Sequence, residues 1–150
     1  MKGIKAILFD WDRTLYDKDN KQLFPETVEV LEYCLKKYKT LTIVSLAIDG
    51  DINGRVNDIE KFGLNKYFKE VLFDVFDKDL LYSTVLKKLS LKPEEVLVID
   101  DRIKRLSWPI RHGCWTIWLK KGNFSDEMPD ASTGLPNYKV ESLGEIMKII

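Results

Sequence analysis

The chain has 150 residues, 45% hydrophobic and 11% aromatic, which suits one domain with a full apolar core and excludes a disordered chain. Its 24 basic and 24 acidic residues cancel, so no global attraction to nucleic acid or anionic lipid follows, and any preference for anions is local. Two cysteines, Cys34 and Cys114, make no disulfide framework and no zinc site, and the single histidine, His112, leaves almost no room for a histidine-based metal site or a Ser-His-Asp triad.

Short apolar runs alternate with amphipathic stretches along the chain. The first run, Ile4–Phe9, contains Lys5 and ends at Asp10, far short of a signal peptide or a membrane span. A cytoplasmic protein without a membrane partner is expected. Pro25 then suits the first turn of a helix whose apolar positions are Val28, Leu31, Leu35 and Tyr38. Leu41–Val44 reads as a strand, and Ile52, Val56, Ile59 and Phe62 as a helix closed by Gly63. Val71–Phe73 is a third strand, followed by a helix carrying Tyr82, Val85, Leu86 and Leu89. Val96–Ile99 and Trp115–Leu119 are the fourth and fifth strands, with His112 and Gly113 at a helix end between them. Gly122–Asn137 has no period and reads as a long loop, functional or mobile. Leu143, Ile146, Met147 and Ile150 predict a final helix. Strands apolar on both faces, alternating with helices, predict one α/β domain over residues 1–150. Its core is a doubly wound, Rossmann-like parallel sheet of about five strands with helices on both faces.

In such sheets ligands bind beyond the carboxyl ends of the strands. The first strand ends in Asp10-Trp11-Asp12-Arg13-Thr14. Carboxylates at i and i+2 of an extended segment share a side, and two charges 4 Å apart repel by about 4 kcal/mol at an effective dielectric of 20. A cation or a bound proton must relieve this, although Asp10 and Asp12 taken alone also read as ordinary turn residues. The fourth strand ends in a second acidic pair, Asp100-Asp101, at the same edge. Four carboxylates there make a hard oxygen site whose natural occupant is Mg²⁺. Ser45 ends the second strand. Lys78 opens a helix, where a cation opposes the dipole unless Asp77 and Asp79 offset it or it faces a bound anion.

The order Asp-x-Asp-x-Thr, Ser, Lys, Asp-Asp resembles the haloacid dehalogenase superfamily of aspartate-nucleophile phosphohydrolases. Asp10–Leu15 matches its first motif, Thr42–Ser45 its second, Lys78 its third and Leu97–Asp101 its fourth. The resemblance runs from Ile4 to about Leu119. Only Leu15–Phe24 and the stretch from Ser45 to Lys78 could hold an extra domain, and both are short, so the capless branch and its magnesium-dependent phosphatases fit best. The resemblance implies Asp10 as nucleophile, Asp12 as general acid and base, and Lys78 as the neutralising cation. It implies Thr14 and Ser45 on phosphoryl oxygens. Asp10, the Asp12 carbonyl and Asp101 would hold Mg²⁺, with Asp100 orienting its neighbours. No organic cofactor is needed.

An open site would admit phosphate on a bulky carrier such as a protein, a sugar or a nucleic-acid end, unless an oligomer closes it. A receiver-type signalling domain fits poorly, because Asp100-Asp101 stands where a Ser or Thr is required. A non-enzymatic scaffold of the same fold is the remaining alternative. It draws on departures from the family pattern: Arg13 replaces the usual Gly, and Arg105 the usual Asn or Asp. Either Arg13 and Arg105 bind a second anionic group of the substrate, or Arg105 pairs with Asp100 or Asp101 and displaces the metal.

Overall fold

A computed structural model describes residues 1–38 and 40–150. Six parallel strands form its central sheet: β1 (Ala6–Phe9), β4 (Leu41–Leu46), β5 (Phe68–Asp74), β6 (Val96–Asp100), β7 (Trp115–Leu119) and β8 (Tyr138–Val140), in the order β5-β4-β1-β6-β7-β8. The sequence reading found five of these. β8 escaped it because three residues are too few to show a period. A separate antiparallel pair, β2 (Tyr16–Asp17) and β3 (Gln22–Leu23), makes the short flap after β1.

Alternation along the buried strands sorts side chains onto two faces. Ile7, Phe9, Ile43, Leu97 and Ile99 pack on one side with helix α1 (Thr27–Tyr38), helix α2 (Ile52–Lys61) and a C-terminal 3₁₀ segment, Leu143–Lys148. Leu8, Val44, Val96 and Val98 pack on the other with helices α3 (Lys78–Leu89) and α4 (Ser107–His112). The two cysteines fall on opposite faces, Cys34 in α1 and Cys114 before β7; both are free and buried.

Three elements differ from their sequence patterns. In α1 the buried face is Thr27, Val30, Leu31 and Cys34, and Val28 is exposed. The final apolar repeat forms the 3₁₀ segment instead of an α-helix, although Leu143 and Ile146 are buried as its spacing requires. α4 is six residues long and follows a 3₁₀ turn, Ile103–Leu106. Pro109, third in α4, sits where its missing N–H costs nothing, and Gly113 ends the helix in the left-handed conformation (φ 86).

The topology places the site. From β1 the chain moves outward through β4 and β5, then returns to the other side of β1 for β6, β7 and β8. The order reverses at β1, so the crevice beyond its carboxyl end is where such sheets bind ligands. Among the described residues no cap is built there: Leu15–Phe24 holds only the β2–β3 flap, and between β4 and β5 lie α2 and one 3₁₀ turn, Asn65–Tyr67. No helix among the described residues is long and apolar enough to cross a membrane.

Candidate active site

Register alone brings the acidic pairs together. Phe9 lies opposite Ile99, and the Asp10 amide donates to the Ile99 carbonyl at 3.1 Å, so Asp10 emerges beside Asp100 and Asp101. One carboxylate oxygen from each of the three lies within 4.8 Å of the others. Ser45, on the neighbouring strand β4, donates to Asp10 Oδ1 at 2.7 Å and accepts the Trp11 amide at 3.2 Å. Trp11 is fully buried and stacks on Tyr16, so it supports the loop from beneath and does not wall the site. Thr14 reaches Asp10 Oδ2 at 3.3 Å and Asp101 Oδ1 at 3.4 Å.

Lys78 is delivered from β5. Asp74 accepts the amides of Phe76 and Asp77, and Asp77 caps α3 by accepting the Leu80 amide at 3.0 Å. The first residue of α3 is therefore fixed. Its ammonium donates to Asp10 Oδ1 at 3.0 Å and to Asp100 Oδ2, and only 4% of the residue is exposed. Burial works against the charge, but the carboxylates of Asp10 and Asp100 outweigh it and hold the Lys78 pKa well above its ordinary value.

One lysine does not balance this pocket. Burial raises the Asp100 carboxyl, and Asp10 adds to the effect. Asp101 is pushed up to about 10 by burial and by the charges of Asp10 and Asp100, and its Oδ2 is buried with no hydrogen-bond partner among the described residues. A buried, orphaned carboxylate oxygen beside two further carboxylates fits a hard divalent cation, which would replace the missing donor and reverse the repulsion. Arg102 N–H donates to Asp100 Oδ1 at 2.9 Å, so Asp100 is held from two sides.

The carboxylate of Asp12 stands apart from that triad. Arg55, in α2, donates to its Oδ2 through Nε at 2.9 Å, and a terminal nitrogen makes an ion pair with the same oxygen at 2.8 Å. Arg55 also holds Asp49 at 2.7 Å and the Asp51 carbonyl at 3.0 Å. Burial raises the Asp12 carboxyl; Arg55 opposes that rise without cancelling it. Arg55 went unnoticed in the sequence. Its signal was a cation within the apolar stripe of α2, where Arg55 is buried and the neighbouring Val56 is exposed.

Three further arginines rim the pocket. Arg13, Lys18, Arg102, Arg105, Ile48 and Phe124 line its mouth, and its volume is about 170 Å³. Arg13 pairs with Asp19 at 3.0 Å, and Arg102 with Glu127 at 3.2 Å while stacking on Phe124. The side chains of Arg105 and Lys18 have no ion-pair or hydrogen-bond partner among the described residues. Arg105 thus pairs with neither Asp100 nor Asp101, both of which keep the arrangement just described.

A sequence model of the family described as mitochondrial PGP phosphatase matches residues 1–123. The chain belongs to that family. It is a phosphatase built on the haloacid dehalogenase-like fold. Solved structures agree on the fold. A protein from Clostridium difficile described as a phosphatase superposes with a TM-score of 0.83 at 18% identity, covering 99% of each chain. A haloacid dehalogenase-like hydrolase from Streptococcus pneumoniae gives 0.80 at 17%, again over 99% of each. A hydrolase of the same type from Bacillus subtilis, crystallised with magnesium, gives 0.79 at 14% over 99% of each. A search of the curated proteins found no significant match.

Proposed function

We propose that this phosphatase hydrolyses a phosphomonoester through an aspartyl-phosphate on Asp10, with Mg²⁺ as its metal. The observation that carries the proposal is the convergence of Asp10, Asp100, Asp101 and Lys78 at the carboxyl end of β1, with Asp12 held separately. A phosphate dianion repels nucleophiles, so catalysis is mostly positioning and charge neutralisation. Asp10 and Asp101, with the Asp12 backbone carbonyl, would hold Mg²⁺, and the ion would supply positive charge to the phosphoryl oxygens. Asp100 orients Lys78, which neutralises Asp10 and the phosphate together.

An Asp10 oxygen forms a bond to phosphorus as the ester P–O bond breaks, and Asp12 gives its proton to the departing oxygen. Water then adds to phosphorus, returning a proton to Asp12, and the aspartyl P–O bond breaks to restore Asp10. Thr14 and Ser45, whose hydroxyls now donate to Asp10, turn to the phosphoryl oxygens when phosphate enters.

A pocket of about 170 Å³ suits the phosphoryl group and leaves the remainder of the substrate at the rim, where Arg105, Lys18 and Arg13 face it. The free Arg105 side chain supports a substrate bearing a second anionic group. It argues against a scaffold protein in which that arginine replaces the metal. The test is a panel of phosphomonoesters, with and without a second anionic group, assayed with Mg²⁺ and after its removal. The reading predicts Mg²⁺-dependent phosphate release and a preference for the doubly anionic esters that Arg105→Asn weakens. Absence of release from every ester would overturn it.

A further inference from the structure

We infer that Arg55 is a positioning residue that divides the four carboxylates of the site into two jobs. It holds the Asp12 carboxylate for proton transfer and keeps it away from the metal that Asp10 and Asp101 would bind beside Asp100. The inference rests on the phosphatase mechanism proposed above for the same site.

The geometry points to a clamp and not to a substrate ligand. Both Arg55 contacts to Asp12, at 2.9 and 2.8 Å, fall on the same oxygen, Oδ2. The other oxygen, Oδ1, has no hydrogen-bond partner among the described residues, and Asp12 lines the pocket. One oxygen is anchored and the other is left to carry the proton. Arg55 cannot readily turn to a phosphate, because Asp49 and the Asp51 carbonyl hold its remaining terminal nitrogen at 2.7 and 3.0 Å. Asp51 also caps α2, accepting the Gly54 amide at 2.9 Å, so the helix carrying Arg55 is anchored by the residue that Arg55 grips. The side chain is only 8% exposed, which makes its fork-shaped donor set rigid as well as charged.

The need for a clamp follows from charge. Asp12 is two residues from Asp10, and a divalent cation beside Asp10 attracts every carboxylate that can rotate toward it. An Asp12 carboxylate bound to the ion could not serve as a proton donor. Holding Oδ2 from α2 prevents that exchange.

The test uses the full chain with Arg55→Gln and Arg55→Lys, on two esters and on Mg²⁺ alone. With β-glycerophosphate the leaving alkoxide needs a proton. With 4-nitrophenyl phosphate the leaving phenoxide needs little help. The clamp predicts that Arg55→Gln lowers kcat/KM on β-glycerophosphate about 30-fold or more, a partial loss of the ~10²–10⁴ that general acid catalysis contributes, and at least ten times more than on the nitrophenyl ester. Arg55→Lys, with charge but no fork, recovers part of the difference. Equal losses on the two esters, or no loss on either, overturn the proposal.

Calorimetric Mg²⁺ titration decides the matter independently of turnover. Arg55→Gln tightens Mg²⁺ binding about five-fold as Asp12 is released onto the ion, and the gain disappears when Asp12→Asn is added. A gain that persists in the Asp12→Asn background is a simple charge effect and contradicts the clamp. Should the wild type hydrolyse neither ester, the phosphatase mechanism fails, and the titration still tests what Arg55 does to Asp12.

Discussion

Arg13 occupies the left-handed region (φ 67), a conformation that costs a residue with a Cβ about 1–2 kcal/mol. A Gly there would avoid that cost, whereas the arginine lies at the rim of the pocket. Arg13→Gly should leave the loop intact and stabilise the protein by about 1 kcal/mol or less, because the solvated pair with Asp19 adds little. The same change should raise KM for an ester with a second anionic group. Thermal unfolding with steady-state kinetics checks both, and a destabilised protein with unchanged KM would remove the argument. Asp101 makes the complementary case. Its unpartnered Oδ2 costs on the order of 1 kcal/mol or more without a cation. Asp101→Asn should therefore raise the Tm of metal-free protein and abolish the stabilisation that Mg²⁺ gives to wild type. An undiminished Mg²⁺ shift in that variant would take Asp101 out of the metal site.

At the scale of elements, the long loop 122–137 is tied down more firmly than its composition suggests. Gly134 has φ 75, and a Cβ there would sit 2.7 Å from Ile110 Cγ2 in α4. Gly134→Ala should cost about 1–3 kcal/mol by strain and overpacking, measurable by urea unfolding. A neutral result would show that the loop can move off α4. Cys34 and Cys114 are both pushed up to about 12 by burial, so neither should react with a thiol reagent at pH 8 until the protein is unfolded.

The three strand-end motifs were legible because each is a short run whose position at a strand end follows from the apolar stretch before it. Lys78 was legible for a related reason: Asp77 beside it is a capping residue, and a cation at a helix start asks for a partner. Arg55 was not legible. Telling it from Val56 needs the rotation of α2 to within one residue, which the contacts with β5 set and a four-residue periodicity does not. β8 and the 3₁₀ ending failed for want of length, since three residues show no alternation and six cannot separate 3.0 from 3.6 residues per turn.

Over the whole molecule, zero net charge coexists with a cluster of carboxylates ringed by Arg13, Lys18, Arg102 and Arg105. Attraction for an anionic substrate is therefore short-ranged. Raising ionic strength from about 0.05 to about 0.5 M shortens the Debye length from roughly 14 Å to roughly 4 Å, which should raise KM more for a doubly anionic ester than for a simple one. Parallel rises for the two would assign the rim no role in substrate choice. The sheet reversal at β1 concentrates the site on Asp10, which among the described residues is the one that touches Ser45, Thr14 and Lys78 together. Mass spectrometry of protein quenched in acid during turnover with Mg²⁺ should find a phosphoryl group on the peptide containing Asp10, and none in a folded Asp10→Asn variant that has lost turnover. A phosphoryl group on another residue, or turnover retained by Asp10→Asn, would contradict the mechanism.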